Sequence, residues 1–395
     1  MSEWKKVKLG EIASAIQTGP FGSQLHQSDY SDVGTPVVMP KDIVCGKIDV
    51  STIARVESHH VERLSRHKIN EGDILYARRG DVGKCAYTDK SQTGWLCGTG
   101  CLRVTIDNAK AMPEFVFFQL QKKDTIGWVE KHAIGATMLN LNTSILSDVP
   151  IELPTLSTQY KIATILSRYD SLIENYQKQI KLLEEAAQRL YKEWFVDLHF
   201  PGHENTKTVD GVPEGWEKKR LIDLVDVQYG YAFDGKLFNS NGEGMPILRI
   251  RNIPDGITSD YTTEEASPNY IVHDGDIVVG MDGIFHINSW NGGDAYLVQR
   301  ACSFRPKEES TRGFIFQAMQ EPIKYFEQTL VGATVAHLGK KHIDSIELTV
   351  PANKDLYIPF QKGFKQRQSL LSQIHLLTEA RDRLLPKLMS GEIAV

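Results

Sequence analysis

Ile180-Lys181-Leu182-Leu183-Glu184-Glu185-Ala186-Ala187-Gln188-Arg189-Leu190 and Ile374-His375-Leu376-Leu377-Thr378-Glu379-Ala380-Arg381-Asp382-Arg383-Leu384 stand 194 residues apart and share seven identities. Such a match at helical spacing marks an internal repeat, and a repeat shapes the fold before any single element does. Around the first stretch, apolar side chains recur at Leu166, Tyr169, Ile173, Tyr176, Ile180, Leu183, Ala187, Leu190 and Trp194. Alternating steps of three and four residues place them on one helix face, the a/d seam of a coiled coil. The second copy runs Leu370, Ile374, Leu377, Arg381, Leu384 and Leu388, with one polar interruption. Long helices are predicted over 156–198 and 356–391. Two equivalent seams in one chain can bury each other; the alternative is that each packs on its own domain.

The repeat extends outward from the helices. Trp4-Lys5-Lys6-Val7-Lys8-Leu9 returns as Trp216-Glu217-Lys218-Lys219-Arg220-Leu221, at an offset of 212. Gly72-Asp73-Ile74-Leu75 returns as Gly275-Asp276-Ile277-Val278, and Gly135-Ala136-Thr137 as Gly332-Ala333-Thr334. Each copy is a mixed domain followed by a helical tract: 1–155 then 156–198, and 216–355 then 356–391. A linker over 199–215 contains Pro201-Gly202 and Pro213. Frequent Gly, Asp, Asn and Ser, short β-rich runs, and helical pieces such as Pro113 through Gln121 make each domain α+β. The expected fold class is therefore α+β: two repeated domains separated by two long antiparallel coiled-coil helices, with pseudo-twofold symmetry. A helix of some 40 residues reaches roughly 60 Å at about 1.5 Å per residue. Such a rod would act as a ruler for a split target; on B-DNA it would fix half-site spacing, on the order of 34 Å per turn.

Composition narrows the class without naming a ligand. The chain has 395 residues, 41% hydrophobic and 24% charged, as in soluble globular proteins. No apolar run is long enough to cross a membrane, and the opening residues lack a signal-peptide core, so a cytoplasmic protein is expected. Five cysteines with no CxxC pair point to reduced thiols, not to a zinc site or a disulfide framework. The net charge of −5 means that any nucleic acid would be met by local basic faces. Residues 1–155 balance 18 Lys+Arg against 18 Asp+Glu, while 216–355 carry 14 against 20.

Catalytic readings fail in turn. Gly80-Asp81-Val82-Gly83-Lys84-Cys85 lacks the P-loop spacing and its Ser/Thr. His59-His60 with His67 has no HExxH or Cys pair to complete a metal site. No GxSxG elbow occurs, and there is no Asn/Asp-Pro-Pro-Tyr motif of an adenine methyltransferase. A non-catalytic binding protein is expected.

The ordered set of motifs resembles the specificity subunits of type I restriction-modification systems. It comprises the Trp4 to Ile12 opening, Glu71-Gly72-Asp73-Ile74-Leu75-Tyr76-Ala77-Arg78-Arg79-Gly80, and Gly135-Ala136-Thr137 ahead of Pro150-Ile151-Glu152-Leu153-Pro154 and Gln159. The helix ends Glu193-Trp194-Phe195-Val196-Asp197 and Leu388-Met389-Ser390-Gly391-Glu392-Ile393 complete it. The resemblance implies that each domain is a target recognition domain reading one half of a bipartite, asymmetric site in double-stranded DNA. It implies two modification subunits docked on the helices, methylating adenine with S-adenosylmethionine, and two restriction subunits using ATP and Mg2+. The alternative is a duplicated adaptor that binds protein partners through its helices.

Base edges call for Arg, Asn or Gln, and phosphates for Lys, Arg, Ser and Thr. In the first domain the candidates are Phe21, Ser23 and Gln24, then Arg78, Arg79 and Lys84 on one Gly-flanked loop, then Thr137, Asn140 and Asn142. In the second they are Tyr231 and Lys236, Arg249, Arg251 and Asn252, and Thr334, His337, Lys340 and Lys341. The two loops differ, since Tyr76-Ala77-Arg78-Arg79-Gly80 becomes Val279-Gly280-Met281-Asp282-Gly283. Tyr169, Ile173, Tyr176, Ile180, Leu183, Leu190 and Trp194, with Leu370, Ile374, Leu377, Leu384 and Leu388, are the candidates for helix pairing or partner docking.

Overall fold

The computed structural model describes residues 4–135, 139–209, 211–330 and 336–395, in two compact units. One unit is Met1–Ser171 with Thr378–Val395; the other is Leu172–Leu377.

The first unit is built on an antiparallel sheet ordered Ala13–Thr18, Cys101–Ile106, Ile74–Ala77, Cys85–Tyr87. Ile74-Leu75-Tyr76-Ala77 is buried throughout, as a short unbroken apolar run requires. Successive side chains enter opposite layers, as the strand period dictates. Ile74 and Tyr76 join Phe115, Phe118 and Leu166, while Leu75 and Ala77 join Val38, Ile43 and Cys101. Helices Pro113–Leu120 and Lys123–His132 lie on the first side. A second small sheet runs Leu96–Cys97, Thr35–Val38, Ala54–Val56, Tyr30–Ser31, its first pair parallel. Lys5–Lys8 pairs with Pro150–Leu153 at the entry to the first long helix, Leu156–Tyr191.

The second unit repeats this plan. Its central sheet is ordered Val225–Tyr229, Ala301–Pro306, Ile277–Gly280, Ile287–Ser289, again antiparallel. Glu217–Arg220 pairs with Glu347–Val350, and a five-stranded sheet again holds one parallel pair, Met245–Leu248 with Ala295–Leu297. The repeated Gly-Asp has one structural role in both copies. Asp73 accepts from the Asn70 backbone N–H at 2.8 Å and Asp276 from that of His273 at 3.1 Å, so each carboxylate closes the turn before its strand. Both are buried, and burial pushes Asp73 above the ordinary carboxyl range. Each carboxylate also meets an arginine of the neighbouring strand, Arg103 at 3.8 Å and Arg305 at 2.8 Å.

The long helices are shared between the units. In the first unit Ile162, Ala163 and Leu166 join the core together with Leu388 and Met389 from the end of the second long helix, Ile358–Met389. In the second, Phe195 joins Phe314, Phe360 and Phe364. Within that unit the helices run antiparallel: Glu184 bonds Arg367, and seven residues further along Tyr191 stacks edge-on against Phe360, seven residues back. All the expected seam positions are buried or half-buried, among them Leu166, Ile173, Ile180, Leu370 and Leu388. The polar interruption at Arg381 is met by Asp170 at 2.6 Å inside the first unit. The seam also extends back to Arg367 and Phe360, beyond its expected start at Leu370.

Each unit therefore holds the start of one long helix and the end of the other. Residues 199–215 are not a bare linker. They hold a hairpin, Thr208–Val209 with Val212–Pro213, and Phe200 is buried against Trp216 with ring centroids 4.6 Å apart.

Candidate nucleic-acid interface

Four loops meet at the C-terminal end of Ile74–Ala77, and backbone hydrogen bonds set their positions. The Arg78 N–H donates to Gly100 O at 2.8 Å, Leu141 N–H to Arg78 O at 2.8 Å, and Gly80 N–H to Leu139 O at 3.2 Å. Arg79 and Asn140 form an isolated antiparallel bridge. The loop through Phe21 is drawn in at Gly19, whose N–H donates to Cys101 O at 2.9 Å. A Cβ at Gly19 would lie 1.9 Å from Gly98 O, so only glycine fits that approach.

The same scaffold recurs in the second unit, bond for bond. Met281 N–H donates to Arg300 O at 2.8 Å, Leu338 N–H to Met281 O at 2.7 Å, and Gly283 N–H to Ala336 O at 3.0 Å. Asp282 and His337 form the bridge. Gly230 N–H donates to Ala301 O at 3.0 Å, and a Cβ there would lie 2.1 Å from Val298 O. The scaffold is a backbone property, and the side chains on it differ.

In the first unit it gathers Phe21, Gln24, Arg78, Arg79, Lys84 and Asn140. The Arg78 guanidinium lies 5.9 Å from the centroid of Phe21, which is 52% exposed. Arg79 is exposed, and Lys84 pairs with Asp81 of its own loop at 3.2 Å. Arg78 Nε, Thr99 Oγ1 and Asn140 Oδ1 are buried with no hydrogen-bond partner among the described residues. Ser23 is exposed. Gln24 and Asn142 have local duties: Gln24 Oε1 accepts from Phe21 N–H, and Asn142 caps the helix Thr143–Ser147. Thr137 and Thr334 lie outside the described residues.

In the second unit Asp282 Oδ1 is 2.6 Å from His337 Nδ1, and its Oδ2 is 3.4 Å from Arg300 Nε. Tyr231 packs on Phe233 and Tyr270 with centroids at 4.8 and 5.1 Å, and the Gln299 N–H donates to its carbonyl. Lys340 and Lys341 are exposed three and four residues past His337, and Lys236 is exposed on its own loop. Arg249 lies 5.3 Å from the ring centroid of Phe238. Arg251 is engaged by Asp260 through two hydrogen bonds, at 2.5 and 3.1 Å, and Asn252 Oδ1 closes its own turn on Arg249 N–H. Burial alone would raise the Asp260 carboxyl, but the Arg251 hydrogen bond and charge bring it below the usual range.

Sequence reasoning passed over Arg300 and Asp282. Arg300 has φ of 72°, the left-handed region, where a side chain costs about 1–2 kcal/mol relative to glycine. Its counterpart in the first unit is Gly100, at φ of 88°. The pairing of Ala301 with Gly280, matching that of Cys101 with Ala77, establishes the equivalence.

Nucleophilic thiols are not on offer at this site: burial pushes Cys85 and Cys97 up to about 12, and raises Cys101 and Cys302 as well. Among the described residues no group of three or more His, Cys, Asp or Glu is placed to hold a metal ion. Among them, too, no helix is long and apolar enough to cross a membrane.

One α+β scaffold used twice, each time displaying a different set of polar and aromatic side chains, defines a paired recognition protein. The chain belongs to the family of the type I restriction-modification DNA specificity domain, which matches residues 1–185 and again 213–369. It is 26% identical to the type I restriction enzyme MjaIX specificity subunit of Methanocaldococcus jannaschii, over 99% of this chain and 93% of that protein. It is 24% identical to the HindI specificity subunit of Haemophilus influenzae, over the full length of both. The type I restriction-modification S subunit of M. genitalium has the same fold, with a TM-score of 0.60 at 18% identity over 98% of this chain and 96% of that one. Membership of this family sets the adaptor alternative aside.

Proposed function

We propose that this chain selects the DNA sequence for a type I restriction-modification complex in the cytoplasm, each domain reading one half of a bipartite, asymmetric site. One observation carries this reading. Equivalent backbone positions present Arg78-Arg79 in one domain and Met281-Asp282 in the other, so one docking geometry meets DNA with two different chemistries. Cations and amides on that scaffold are the groups that bind phosphates and base edges. The chain recognises and does not catalyse. Adenine methylation with S-adenosylmethionine belongs to two modification subunits, and ATP- and Mg2+-dependent cleavage to two restriction subunits. Leu182 and Leu376, equivalent in the repeat and 64% and 63% exposed, give the two helices matched apolar contacts for identical modification subunits. The helices would also set the half-site spacing.

The test is expression with modification subunits in a methylation-free host, followed by genome-wide sequencing of methylated adenine. A split, asymmetric motif dependent on this chain is expected. Arg78→Ala with Arg79→Ala should relax or abolish one half of it while the complex still assembles. Assembly with unchanged methylation in the absence of this chain would overturn the reading.

A further inference from the structure

The two domains place an arginine on opposite sides of one backbone hydrogen bond. In the first, Arg78 donates its N–H to the carbonyl of Gly100; in the second, Met281 donates its N–H to the carbonyl of Arg300. The guanidinium has moved from donor residue to acceptor residue, onto a position whose left-handed backbone suits glycine. Strain of this kind persists where the surrounding structure enforces it, and it clusters at working sites. Arg300 does little for the core, since its side chain is 57% exposed. What it does have is a bracket. Asp282, 26% exposed, stands 3.4 Å from its Nε and is itself held by His337 at 2.6 Å.

We infer that Arg300 is the base-reading arginine of the second domain, directed at a guanine edge, with Asp282 and His337 as its positioning residues. The inference rests on the DNA-reading function proposed above and supplies its second half. Guanine is the base whose O6 and N7 match the arginine fork. A carboxylate beside Nε orients that fork, an arrangement suited to a base edge and unnecessary for a phosphate, which accepts a charge from many directions. The first domain reaches the same chemistry by another route, with Arg78 laid over Phe21. The two half-sites would each hold a guanine at this place, read from different directions.

Arg300→Gly tests the inference without threatening the fold, because it installs the residue that the first domain carries at the equivalent position. The variant is assembled with its modification subunits, and the methylated motif is sequenced beside that of the parent. One guanine in one half-site should become unconstrained, with discrimination at that position falling roughly 10- to 100-fold. The other half-site should be unchanged, and the melting temperature equal to the parent's or higher. Asp282→Asn should relax that same position to a smaller degree, a readout that a merely structural role would not move. An unchanged motif overturns the inference. So does uniform weakening across sequences with a salt slope shallower by about one, the signature of a phosphate contact. Absence of a split motif with the parent chain would instead sink the function on which the inference rests.

Discussion

Arg367→Met should destabilise the second unit substantially, although Arg367 lies on a helix whose seam reads as apolar packing. Arg367 is 8% exposed, and its guanidinium donates to Glu184 Oε1 at 2.6 Å and to Asn288 Oδ1 at 2.8 Å and also bonds Ser289 Oγ. It lies 5.5 Å from the ring centroid of Phe316. Methionine fills most of the same volume, so the cavity term is small and the lost polar contacts dominate. Hydrogen bonds to a charged group contribute about 1.5–3 kcal/mol each. Full loss of all of them is not expected, because the Glu184 side chain is 36% exposed and turns to water, and Ser289 keeps Gln368. A net loss of about 3 kcal/mol follows. For a unit of this size that corresponds to a fall of about 6–12 °C in melting temperature, read by scanning calorimetry. Pairing the change with Glu184→Gln completes a cycle whose coupling should be at least about 1 kcal/mol. A shift under about 2 °C, or additive single mutants, would refute the claim that a charged pair holds this seam.

Ile180, 9% exposed in the seam, should not tolerate Ile180→Asp. An unpaired charge there should cost about 3 kcal/mol or more, visible as a lower melting temperature, and an unchanged one would argue against paired helices. Gly230→Ala would set a Cβ 2.1 Å from Val298 O, and the forced shift should cost about 1–3 kcal/mol and displace Tyr231. Chemical denaturation checks the cost, and a neutral result would mean that the close approach relaxes freely. Asp260, below its ordinary value of 3.8, contributes stability that is present above that value and lost as pH falls through the folded one. Asp260→Asn should therefore flatten the fall in melting temperature on acidification below about pH 4; parallel acid limbs in the two proteins would count against the Arg251 pairing.

The helices were legible in the sequence because their burial is periodic. Every third or fourth residue from Leu166 to Trp194 faces protein, and hydrophobicity alone records it. The Gly-Asp turns were legible as a repeat, since Asp73 and Asp276 do the same work in the same geometry. The sharing of helices between units was not legible, because no local signal tells Leu388 which core it will enter. Nor was the role of Arg381, which reads as a flaw in the seam until Asp170 is found opposite, 211 residues away. The candidate site was legible where it is dense, at Arg78-Arg79. It was obscured where hydrogen bonds consume the groups, as with Asn142, Asn252 and Arg251. Arg300 escaped notice because φ is invisible in a sequence, and nothing but the strand register aligns it with Gly100.

The copies agree in their helices and diverge in their loops because the loop scaffold is made of backbone. The scaffold at the end of each central strand is held by backbone groups, through Arg78, Leu141 and Gly80 in one domain and Met281, Leu338 and Gly283 in the other. Backbone bonds place little demand on side-chain identity, so positions 78, 79 and 140 and their counterparts 281, 282 and 337 can change with small cost to folding. Recognition can thus be rewritten on a fixed support. The exceptions are positions where backbone itself approaches backbone or turns left-handed. Gly19 and Gly230 must be glycine because a Cβ at either would overlap a carbonyl. Glycine would suit the left-handed backbone at position 300 better, and an arginine held at an exposed turn against that preference is there for its side chain.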